Sequence, residues 1–183
     1  MNRLFHIAVL LTILFIVETS CVNKHITRDD TINNYEKNSK QIMELAAYFL
    51  KLKPDSNEVF FKPSKNRYTI SIAQPYWAIS PDYPYNAGRD MRMDSEQMRS
   101  FLKTLDWTTN TVITLKKMLK KTNCLSISTQ GDYIQLDFAA GDICAFSYLI
   151  TEKPFSDSTI ENDSKKGVTF LSKYARIGSA CAL

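Results

Sequence analysis

Residues 124–150, CLSISTQGDYIQLDFAAGDICAFSYLI, constrain the fold more than any other stretch of the chain. Apolar and polar residues alternate on both sides of Gly131-Asp132, the period-two pattern of strands with one buried face. A tight turn at Gly131-Asp132 pairs Thr129 with Ile134, Ile127 with Leu136 and Leu125 with Phe138. These residues then share one face, so the turn and the hydrophobic pattern agree on a register. A second turn at Ala140-Gly141-Asp142 pairs Phe138 with Cys144, Leu136 with Phe146 and Ile134 with Tyr148. The expected product is an antiparallel meander whose strongly apolar face needs a cover.

Helical patterns elsewhere supply that cover. From Thr31 to Lys53, Ile42, Leu45, Ala46, Phe49 and Leu50 recur at three- and four-residue spacing until Pro54 stops the run. Asp94 or Ser95 caps a second helix carrying Met98, Phe101, Leu102 and Leu105. After a break holding Trp107, which reads as a core plug, a third helix presents Val112, Leu115, Met118 and Leu119. Its other face carries Lys116, Lys117, Lys120 and Lys121 and reads as solvated. EVFFKPSKNRYTISIAQ reads as a hairpin turning near Pro63–Asn66, with Tyr68, Ile70 and Ile72 on its buried side. PYWAISPDYPYNAGRDMR reads as a loop, TEKPFSDSTIENDSKKG as a mobile loop, and VTFLSKYARIGSACAL as one last strand. The fold class expected is α+β, an antiparallel sheet with helices packed on one face.

At 183 residues, one domain is expected for the body of the chain. We divide it into an export signal (1–20), a flexible tether (21–30) and a single α+β domain (31–183). The signal consists of Arg3, an apolar run from Leu4 to Val17 interrupted by His6 and Thr12, and the small residues Thr19 and Ser20 before Cys21. The run is shorter than the roughly 20 residues a spanning helix needs.

Val17-Glu18-Thr19-Ser20-Cys21 resembles the lipobox of bacterial lipoproteins, a resemblance confined to the N-terminal segment. Thr19 and Ser20 match the small residues before the cysteine, while Glu18 stands where that family prefers an aliphatic residue. The resemblance implies that Cys21 becomes the new N-terminus and carries a diacylglycerol on its sulfur. It also implies a membrane anchored by lipid, and Val22 in place of an aspartate points toward an outer membrane. Ordinary signal cleavage nearby, for instance after Thr19, is the alternative and leaves Cys21 a plain thiol.

Removing Cys21 leaves Cys124, Cys144 and Cys181. In an oxidising compartment one disulfide is open to them, with Cys181 as partner of either Cys124 or Cys144; the favoured reading instead leaves Cys144 a buried small hydrophobe. Cys124–Cys144 is disfavoured because the expected register sets them two strands apart and on opposite faces. No CxxC or Cys/His cluster suggests a metal, and no cofactor motif is present.

Catalytic signals are sparse. Beyond the signal the only histidine is His25, in the presumed tether, which argues against Ser/His and Cys/His catalysis. Asp82, Asp90 and Asp94 could serve a hydrolase of cell-wall or glycan material, although their spacing does not separate them from turn and cap residues. A net charge of +4 without a basic stripe argues against nucleic acid. Tyr76, Trp77, Tyr83 and Tyr85, in a proline-stiffened loop, combine large apolar faces with polar tips and form the candidate binding surface. The functional expectation is a non-catalytic, membrane-tethered envelope domain, of immunity or assembly-accessory type, that binds a protein or polysaccharide partner.

Overall fold

The computed structural model describes residues 26–52, 58–73, 86–140 and 144–181. Helix α1 (Arg28–Leu50) leads into a hairpin of β1 (Glu58–Ser64) and β2 (Arg67–Ala73), followed by β3 (Asn86–Arg92). Helices α2 (Glu96–Leu105) and α3 (Thr109–Lys121) precede β4 (Ser126–Gln130), β5 (Tyr133–Ala140) and β6 (Cys144–Thr151). Helix α4 (Asp157–Lys165), β7 (Phe170–Ser172) and β8 (Ala175–Cys181) complete the order. Every strand pairing is antiparallel, in one sheet ordered β3-β2-β1-β4-β5-β6-β8-β7. This is the expected α+β class.

The core lies between the sheet and α1, α2 and α3. Ile42, Leu45 and Phe49 of α1, Met98 and Phe101 of α2, and Val112, Leu115 and Leu119 of α3 are all buried. Facing them are Phe61, Ile70, Ile127, Leu136, Tyr148 and Ile150, one parity of the strands. Burying each such side chain contributes about 1.5–3 kcal/mol, so this one-sided layer dominates stability. Trp107 plugs the α2–α3 break as expected, its indole edge-on to Phe49 and Phe61 and its Nε1 donating to the Leu52 carbonyl.

The first helix starts at Arg28, inside the stretch read as a tether. Thr27 accepts from the Asp30 N–H while the Asp30 carboxylate accepts from Thr27, a capping box that apolar periodicity does not reveal. Polar groups then fix the helix to the sheet. Asn34 Nδ2 donates to the Thr122 carbonyl and to the Tyr148 hydroxyl, which itself donates to the Thr31 carbonyl. Asn38 and Asn123 donate to Asn34 Oδ1, so this buried amide is fully engaged.

The turn at Gly131 behaves as expected, with φ at +55° and Thr129 opposite Ile134 and Ile127 opposite Leu136. Leu125 does not join that face; it precedes β4 and is 45% exposed. The second turn differs by two residues, because Leu136 pairs with Tyr148 and Ile134 with Ile150. The pairing runs up to Ala140↔Ala145, a bulge at Phe138 absorbs an extra residue, and the expected turn at Gly141-Asp142 lies outside the described residues. Parity survives, so the apolar face is preserved.

Three further expectations are corrected. The stretch read as a mobile loop contains α4, whose N-cap Ser156 accepts from the Thr159 N–H but which buries none of its residues. The closing stretch is a hairpin, β7 and β8 joined at Lys173-Tyr174, rather than one strand. The last residues of the stretch read as an aromatic loop form β3, which carries Gly88 where a side chain would collide with Met91 and Phe101 of the core.

Candidate functional site

The sheet face opposite α1–α3 carries the other strand parity. Over β6 and β8 it is partly covered by the segment leading through α4. Arg176 is the clasp there: its guanidinium lies 5.3 Å from the Tyr133 ring centroid and 5.6 Å from that of Phe155. It also meets the Asp163 carboxylate of α4 at 3.2 Å, both side chains being less than a quarter exposed. Phe155 stacks on Tyr133 and meets Phe170 edge-on, closing the cluster.

Over β1, β2, β3, β4 and β5 the same face forms a groove of about 450 Å³. Phe60, Thr69, Ser71, Arg89, Ser128 and Gln135 line it. One aromatic ring is thus surrounded by hydroxyl and amide groups and a guanidinium, a lining suited to hydrogen bonding and stacking. Beside it, Ser126 Oγ and Gln135 Nε2 both donate to the Asp137 carboxylate, which occupies both of its oxygens within the protein. The groove follows from the register, since Thr69 and Ser71 alternate with the buried Tyr68, Ile70 and Ile72. Alternation in YTISIAQ was the available signal for it; that β1 and β4 lie side by side was not readable from local sequence.

Tyr76, Trp77, Tyr83 and Tyr85, the expected binding surface, lie outside the described residues, as do Cys21, His25 and Asp82. The strands that flank the aromatic stretch contribute Ser71 and Ala87 to the groove lining.

The two described carboxylates of the hydrolase alternative occupy structural positions. Asp90 is an extra residue of β3 opposite Thr69, with φ +52°, and its carboxylate lies 3.9 Å from Arg67. Asp94 is held by two hydrogen bonds from Arg92, at 3.0 and 2.9 Å. Those bonds lower its pKa, so it stays ionised and is a poor proton donor. Cys124 is buried, and burial pushes its thiol up to about 11, which keeps it an unreactive thiol at neutral pH.

Among the described residues no group of His, Cys, Asp or Glu is placed to hold a metal ion, and no helix is long and apolar enough to cross a membrane. Compared with family models, curated proteins and solved structures, the chain matches none of them.

Proposed function

We propose that this protein is a lipid-anchored domain of the cell envelope that binds a second envelope component, a protein or a polymer, without catalysing a reaction on it. The observation that carries the reading is the apolar run Leu4–Val17 closed by Thr19-Ser20-Cys21, with Cys21 as the acylation site. Two or more acyl chains make release from a membrane slow, and a domain held there acts through what it touches. The groove on the open sheet face supports the binding half: it offers hydrogen-bonding groups around Phe60. The aromatic residues Tyr76, Trp77, Tyr83 and Tyr85 belong to the connection between two of its strands.

A photo-crosslinking side chain at Gln135 or Thr69, in the chain expressed in native membranes, tests the binding half. We expect a discrete adduct from these groove positions and none from Glu44, an exposed position on α1. Equal labelling from all three positions, or none from the groove, would contradict the reading. Sensitivity of the adduct to protease or to glycan-degrading enzymes separates a protein from a polymer.

A further inference from the structure

Cys144 opens β6 and Cys181 closes β8, and the register sets them directly opposite one another. The pairing runs without a shift from Cys144↔Cys181 to Ile150↔Ala175. Just beyond it, the Thr151 N–H donates to the Tyr174 carbonyl at 3.0 Å. In an antiparallel ladder such a bond marks a hydrogen-bonded pair, and hydrogen-bonded and non-hydrogen-bonded pairs alternate. Stepping back along β6, Thr151, Leu149, Ser147 and Ala145 take hydrogen-bonded positions, so Cys144↔Cys181 is a non-hydrogen-bonded pair. There the Cα atoms approach most closely, at roughly 4.5 Å, within the window of about 4.4–6.8 Å that disulfides span. Cys124 does not compete: it precedes β4, β5 separates it from β6, and it is a buried free thiol.

We propose that Cys144 and Cys181 are the site of an intramolecular disulfide that joins β6 to β8. The oxidant is a disulfide donor, either a small-molecule disulfide or a disulfide-carrying oxidoreductase. The thiolate of one cysteine attacks the donor's S–S bond, forming a mixed disulfide and releasing one donor thiol. The thiolate of the other then attacks the mixed disulfide, forming the Cys144–Cys181 bond and releasing the second donor thiol. The two cysteines lose two electrons and two protons, and the donor disulfide gains them. The bond fastens the last strand, and with it the ends of the loop that contains α4 and β7. It goes beyond the binding reading and stands whether or not Cys21 is acylated.

The test takes the full chain in detergent, reduces it, removes the reductant and equilibrates it with glutathione disulfide without denaturant. The chain is then alkylated in denaturant, digested without reduction and mapped by mass spectrometry. We expect one peptide pair joining Cys144 to Cys181 that separates on reduction, with Cys124 recovered alkylated. Recovery of both cysteines alkylated, both capped by glutathione, or either joined to Cys124 or Cys21 would overturn the assignment.

Discussion

Cys124 and Tyr148 show how burial sets chemistry residue by residue. Burial raises the pKa of both, and Asn34, donating to the Tyr148 hydroxyl, only partly offsets it there. A group whose pKa is raised on folding stabilises the fold fully below its unfolded pKa and loses that contribution as pH climbs to the folded value. For Cys124 the window runs from its ordinary value of 9.0 to about 11, and Tyr148 acts at more alkaline pH. We therefore expect urea midpoints to fall between about pH 9 and pH 11, and Cys124→Ala to fall less steeply over that window. Parallel curves for the two proteins would remove Cys124 from the alkaline response. Residue-scale legibility was uneven: Trp107 was readable as a plug because it interrupts two amphipathic helices. Asn34 was not readable as a buried hub, because its partners Thr122 and Tyr148 come from distant segments.

Elements held by burial and elements held by caps and clasps should respond differently to substitution. Helix α1 is docked by side chains with no exposed surface, so Leu45→Ala should cost about 2–5 kcal/mol in global unfolding. Helix α4 buries none of its residues and is held to the sheet chiefly through Asp163–Arg176 and the rings around Arg176. Arg176→Ala should cost only about 1–2 kcal/mol globally, since the pair is part exposed, yet speed amide exchange selectively across α4. Uniform acceleration across the sheet would show that α4 is no separate unit. The same distinction explains what the sequence revealed. Helices α1, α2 and α3 and the β1–β2 and β4–β5 hairpins announce themselves through apolar periodicity and turn residues. Helix α4 has only its Ser156 cap, and β3 has Asn86-Ala87-Gly88-Arg89-Asp90, poor in β-prone side chains. The register between β5 and β6 differs from the expected one by two residues before the bulge at Phe138, an even step that keeps parity there. Hydrophobic alternation fixes which face is buried but not how far one strand slides by even steps.

At the scale of the whole molecule, α1–α3 commit one sheet face to the core and leave the other for α4, the Arg176 cluster and the groove. Class and layering followed from the order of periodic segments, whereas the groove depends on β1 lying beside β4, a long-range pairing that local pattern does not encode. The groove depends on the register of β1, β2, β3, β4 and β5, which the composition of the aromatic stretch does not encode. A disulfide at Cys144 and Cys181 would add roughly 4 kcal/mol by closing its loop, on the chain-entropy view. The proposed bond and the proposed lipid at Cys21 would both suit an exported chain, and each is tested separately.

Attachment at Cys21 is the claim on which the functional reading turns, and intact mass spectrometry of the chain extracted from membranes examines it directly. We expect a species that begins at Cys21 and carries the added mass of a thioether-linked diacylglycerol. A mature N-terminus at Ser20 or Val22, or an unmodified Cys21, would contradict it.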